Sequence, residues 1–147
     1  MMTTNRDTFL AFEEVLRELA ANGRRAQQAL EERLLRENDL HAELVAWVRE
    51  RNAQLLHGLE ALAAGGPEEL LRRRVQYTPD EALRRLPENG GLLVWVLEVN
   101  NQALTVLADL EDKTLAPEVE ETLGDLVTQL EGINRRIALA LNTAQDL

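Results

Sequence analysis

Apolar residues recur along most of this chain at intervals of three and four, the spacing that lines them up on one side of an α-helix. Phe9, Phe12, Leu16 and Leu19 form the first stripe, and Asp7 or Thr8 can cap the helix that carries it. Asn22-Gly23 reads as a stop or kink, after which the stripe resumes through Ala26, Leu30 and Leu34, so an interrupted first helix is expected over about 7–37. Asn38-Asp39 supplies a second cap. Leu40, Leu44, Val48, Leu55, Leu59 and Leu62 then define a helix over about 39–64, ended by Gly65-Gly66-Pro67.

A connection over 66–91 follows, with short helices expected around 68–75 and 79–86; Thr78-Pro79-Asp80-Glu81 is a good helix start and Pro87-Glu88-Asn89-Gly90-Gly91 a clear break. The third helix, about 92–112, is apolar on nearly every side. Leu92 through Leu97 taken alone could be a buried strand, but Ala103, Leu104, Leu107 and Leu110 extend the pattern to helical length. Pro117 opens the fourth helix, about 117–143, with Glu118, Glu120 and Glu121 against the positive end of its dipole. Val119, Leu123, Leu126, Leu130, Ile133, Ile137 and Leu141 step by 4, 3, 4, 3, 4 and 4, close to a heptad seam. The expected fold is all-α: a single domain over 1–147, an elongated antiparallel bundle of about four main helices with a partly helical crossover.

Charge removes several functions from consideration. Twenty-six acids against sixteen bases leave a net charge of −10, the wrong sign for a phosphate backbone or an anionic membrane surface. The deficit is concentrated: residues 111–147 carry eight acids and three bases, half of the total. Cysteine is absent, which excludes disulfides, a thiolate nucleophile and cysteine zinc sites. Met1–Asp7 lacks the apolar run of a signal peptide, and Leu92–Leu97, the longest apolar stretch, is far too short to span a bilayer. A cytoplasmic location is expected.

Candidate chemistry is sparse. A di-iron site in a four-helix bundle requires a Glu from each of two helices and Glu-x-x-His from the other two. His41 and His57, the only histidines, share one helix sixteen residues apart, roughly 24 Å at the helical rise, and neither follows a Glu at the required spacing. Glu131-Gly-Ile-Asn134 sits where such a motif could lie, with Asn in place of His. Glu98 interrupts the apolar third helix and reads either as a functional acid or, preferably, as a structural residue that faces a gap, pairs with an Arg of the connecting segment or marks the wet edge of the bundle. No nucleophile constellation or phosphate-binding glycine loop is present. No enzyme activity, cofactor or metal is expected. An offset of 48 residues also superimposes the second helix on the third with nine identities in nineteen positions, among them Trp47 on Trp95 and Asn52 on Asn100. Chance similarity between leucine-rich helices, duplication or equivalent packing roles would each account for that match.

What remains is apolar helix surface, suited to helix-in-groove recognition of a protein client or to self-association into a homo-oligomer. The side chains expected to carry it are Trp95, Val99, Leu130, Ile133, Ile137 and Leu141. Asn89-Gly90-x-Leu92-Leu93, followed by Glu98-x-Asn100-x-Gln102-Ala103-Leu104-x-x-Leu107, resembles the late helix of FlgN-like flagellar export chaperones. Glu32, Leu34, Asp39, Leu44, Val48, Arg51 and Leu55-Leu56 resemble the long hairpin that precedes it in that family, while the helix after Pro117 departs from the family pattern. The resemblance implies an acidic, helical, non-enzymatic chaperone that shields apolar terminal helices of hook–filament junction proteins before export. A ferritin-like bundle and a self-assembling structural or regulatory helical protein are the alternatives.

Overall fold

The computed structural model describes residues 8–36, 41–87, 91–111 and 116–143. In chain order they form β1 (Thr8–Ala11), α1 (Phe12–Leu34), α2 (Ala42–Gly65), a single helical turn α3 (Glu68–Leu71), β2 (Arg74–Tyr77), a 3-10 turn (Glu81–Arg84), α4 (Leu92–Glu111) and α5 (Pro117–Thr143). The expected all-α bundle is present, with four long helices and an irregular crossover. The expected cap at Asn38-Asp39 lies outside the described residues.

Cross-helix contacts fix the arrangement. Asn52 and Arg24–Glu60 tie α1 antiparallel to α2, and Asn134 meets Asn101 where α5 runs back along α4. Gly58 of α2 lies against Leu126 of α5, which is also antiparallel. α1 and α4 are neighbours as well, joined through Asn22 and Gln102, so the helices form a ring in the order α1, α2, α5, α4. The segment from α2 to α4 must therefore travel the length of the bundle. It does so along the groove between α1 and α4.

Two features of this crossover differ from the helical expectation. Residues 8–11 are not the start of a helix but a strand, paired antiparallel with residues 74–77 in the register Thr8↔Tyr77, Phe9↔Gln76, Leu10↔Val75 and Ala11↔Arg74. Arg-Val-Gln-Tyr alternates polar and apolar residues, and Val75 and Tyr77 point inward while Arg74 and Gln76 face solvent. The first amide of α1 is satisfied by this sheet: Phe12 N–H donates to the Arg73 carbonyl at 2.8 Å in place of a side-chain cap. The second expected helix is reduced to one 3-10 turn that starts two residues after Pro79, where the Asp80 carboxylate caps it by accepting from Ala82 N–H at 3.0 Å.

Asn22-Gly23 neither stops nor kinks α1, which is continuous through residue 34. Gly23 is buried, and a Cβ there would meet Leu56 Cδ1 at 3.3 Å, so the glycine serves the close approach of α1 to α2. Gly66 does end α2 as expected: a Cβ there would lie 2.6 Å from the Leu62 carbonyl oxygen, which the Gly66 N–H already occupies.

The core runs the length of the bundle. Phe12, Leu16, Leu30, Val48, Val96, Leu107, Leu123, Leu130 and Ile137 are fully enclosed, and the crossover adds Leu70, Val75, Tyr77 and Leu83. Outside the core, Arg84 docks the crossover by bridging Glu18 of α1 at 2.7 Å and Glu81 at 2.6 Å. Tyr77 sits beneath this ion group with its hydroxyl unpartnered. Burial, then the negative charge of Glu18, pushes its phenol up to about 12.

Two measurements test this packing. Leu130→Ala is expected to cost about 2–5 kcal/mol of unfolding free energy in denaturant titration, against under about 0.5 kcal/mol for the 83% exposed Leu35→Ala. Tyr77 is the only tyrosine, so tyrosinate absorbance reports it alone. The native chain should ionise near 12 and the urea-unfolded chain near 10. Because the folded value is the higher one, this contribution to stability is fully present below about pH 10 and is lost as pH rises towards 12. Tyr77→Phe should remove that alkaline decline.

Candidate functional site

Two places in the molecule concentrate polar side chains against apolar surroundings: the centre of the bundle and the outer face of α4. At the centre, each of the four long helices turns an asparagine inward. Asn22, Asn52 and Asn100 are 1–2% exposed, and Asn134 on α5 is half-buried with its Oδ1 enclosed. Asn52 Nδ2 crosses from α2 to donate to the Gly23 carbonyl at 3.2 Å and to Gln27 Oε1 at 3.0 Å, both on α1. Asn22 Nδ2 donates to Gln102 Oε1 on α4 at 3.5 Å, while its own Oδ1 accepts from Arg25. Asn134 Nδ2 donates to Asn101 Oδ1 on α4 at 2.9 Å. Two buried amide atoms, Asn100 Nδ2 and Asn134 Oδ1, have no protein partner. The layer contains no carboxylate.

The second place is a groove of about 400 Å³ between the crossover and α4, lined by Val75, Gln76, Tyr77, Thr78, Gln102, Thr105, Val106 and Asp109. Buried Val75, Val106 and Tyr77 supply an apolar floor, and Gln76, Thr78, Thr105 and Asp109 an exposed polar rim. Gln102 Nε2 donates to the Thr78 carbonyl at 3.4 Å, and beyond these two residues a further opening of about 470 Å³ continues past Asp80, Glu81, Glu98 and Asn101. Glu98 is exposed at this margin, which resolves its odd place in an apolar helix: it belongs to the wet edge. In the crossover run Arg72-Arg73-Arg74, Arg72 is paired to Glu68 and Arg74 donates to the Phe9 carbonyl at 3.1 Å.

The side chains expected to bind a partner are elsewhere. Trp95, Val99, Leu130, Ile133 and Ile137 are all 6% exposed or less, and Leu141 packs half-buried against the same core. The seam of α5 is spent on α4 and α2, so these residues meet a partner only if the bundle opens. Trp95 Nε1 is enclosed without a hydrogen-bond acceptor. The other tryptophan, Trp47, which pattern reading passed over as a site, is half-buried between two guanidinium groups, Arg51 at 5.3 Å and Arg136 at 4.9 Å from its ring centroid. It borders a cleft of about 240 Å³ between α2 and α5, with Gln54, Thr128 and Gln129.

Among the described residues no helix is long and apolar enough to cross a membrane, and no group of three or more His, Cys, Asp or Glu is placed to hold a metal ion. No protein-family model and no curated protein matches the chain. A solved structure from Thermotoga maritima, described as a ferritin-like diiron-carboxylate protein, shares the fold with a TM-score of 0.69 over 91% of this chain and 96% of that one, at 12% identity. The likeness is one of architecture: two helical hairpins joined by a long crossover. A di-iron centre needs carboxylates and imidazoles projecting into the bundle from four helices. Here the inward polar groups are amides, Glu131 of the Glu131-Gly-Ile-Asn134 segment is exposed, and His41 and His57 both belong to the α2 side. The residues present do not fit that metal.

Proposed function

We propose that this protein is a non-enzymatic binding module, most like a cytosolic export chaperone, that seats an apolar segment of a protein client in the groove between the crossover and α4. The observation that carries this reading is the groove itself: an apolar floor of Val75, Tyr77 and Val106 beneath a rim of amides, hydroxyls and the Asp109 carboxylate. A floor of this kind holds the apolar face of an amphipathic segment, and the rim can meet its flanking polar groups. Asp80, Glu81 and Glu98 extend the groove with carboxylates, and the chain as a whole carries −10, so the favoured client segment is basic beside its apolar face. α4 supports the same reading in a different way from the sequence expectation. Its Trp95 and Val99 side serves the core, while its Gln102–Thr105–Asp109 side remains at the surface.

Fluorescence anisotropy with synthetic peptides of hook–filament junction terminal helices tests both levels of the proposal. Binding is expected for wild type, and Thr105→Arg, at an exposed position on the rim, should weaken it at least tenfold, about 1.4 kcal/mol, without changing the melting temperature. Peptide binding unaffected by Thr105→Arg would remove the groove from the proposal. No binding of any such peptide to wild type would remove the export-chaperone assignment.

A further inference from the structure

We propose that the centre of this bundle is a carboxylate-free amide layer that fixes the register of the long helices, in the role that a carboxylate–imidazole metal centre fills in di-iron bundles. Four observations lead to it. Each of the four long helices contributes one asparagine, and these lie at the same level, because Asn22 reaches Gln102, Asn52 reaches Gly23 and Gln27, and Asn134 reaches Asn101. The links cross three of the four seams of the ring: α1–α2 and α1–α4 at the buried or part-buried centre, and α4–α5 at its margin, where Asn101 is exposed. Asn52 and Asn100 occupy equivalent places in the 48-residue internal match and lie on the two diagonal helices α2 and α4, so the match coincides with a shared position in the layer. Finally, the glycine beside Asn22 lets α1 approach α2 closely enough for Asn52 to reach a helix carbonyl.

Register follows from the geometry of helices. The apolar seams alone tolerate a slip of one turn, about 5.4 Å, because leucine and valine recur at each turn. Such a slip strands buried amide groups in an apolar interior, and that penalty selects one alignment. The kind of polar group matters as much as its position. Inward carboxylates would require a metal or cationic partners, whereas carboxamides carry both donors and acceptors, and here they bond to other amides, to a helix carbonyl and to the Arg25 guanidinium. An amide oxygen is also a weak ligand for iron or manganese beside the carboxylate and imidazole groups such sites employ.

The experiment uses the full chain and four readouts. Anaerobic calorimetric titration with Fe(II), Mn(II) and Co(II) should detect no stoichiometric binding. Asn52→Leu, which removes the cross-helix bonds to the Gly23 carbonyl and Gln27, should lower the melting temperature by about 3–8 °C, whereas Asn100→Leu, whose Nδ2 has no partner to lose, should lower it by less. Asn52→Asp should destabilise more at pH 8 than at pH 5, since a carboxyl group buried there stays folded most easily when protonated. In a Asn22→Leu/Asn52→Leu/Asn134→Leu variant, amide NMR spectra should show several conformers at undiminished helical circular dichroism. A stoichiometric metal that raises the melting temperature and is abolished by Asn52→Leu would overturn the proposal. So would a single sharp native spectrum from the triple variant. Should the triple variant fail to fold, equal melting temperatures for Asn52→Leu and Asn100→Leu would still overturn it.

Discussion

A helix that is apolar on nearly every side has to be covered on nearly every side, and α4 imposes that requirement on the rest of the molecule. α5 covers one flank and α1 another. A third side is left open by any four-helix ring, and there the crossover lays down Val75, Tyr77 and Leu83, held in place by the Arg84–Glu18 pair. The two-stranded sheet is a consequence of the same demand. An extended segment crossing α4 has unpaired backbone amides, and residues 8–11 supply the partner strand. Cover is incomplete where β2 ends, and the groove over Val106 is the remainder.

The centre of the bundle obeys a different constraint. Apolar packing gives most of the stability, but it discriminates poorly among alignments of leucine-rich helices. Buried amides add little net stability and carry a large penalty when misplaced, which is the property needed for discrimination. That division of labour also explains how two chains with 12% identity share the architecture. The lengths and stripes of four helices are enough to specify the ring and crossover, and the polar chemistry at its centre is free to differ.

How much of this was legible depended on the length of each signal. The stripe from Val119 to Ile137 repeats over five turns, and every one of its residues is buried as the pattern requires. Arg74-Val75-Gln76-Tyr77 alternates over only four residues, too few to distinguish a strand from the helical turn next to it. Its partner Thr8–Ala11 lies more than sixty residues away, so the pairing has no local signature. Asn22-Gly23 was misleading for a chemical reason. The pair that ends a helix in isolation is also the pair that permits close helix contact and a buried amide, and only the position of Leu56 and Asn52 on the neighbouring helix separates the two uses. The apolar faces of α4 and α5 were visible in the sequence, but whether they close on each other or on a partner is a property of the assembled ring.

Gln102 brings the two polar regions into one structure. Its Oε1 accepts from Asn22 within the central layer, and its Nε2 donates to the Thr78 carbonyl at the junction of the groove and its extension. Both bonds are long, 3.5 and 3.4 Å, and both depend on one half-buried side chain. Any rotation of that amide changes what is offered both to Asn22 and to the Thr78 carbonyl. The inner wall of the groove thus shares one side chain with the amide layer at the centre of the bundle.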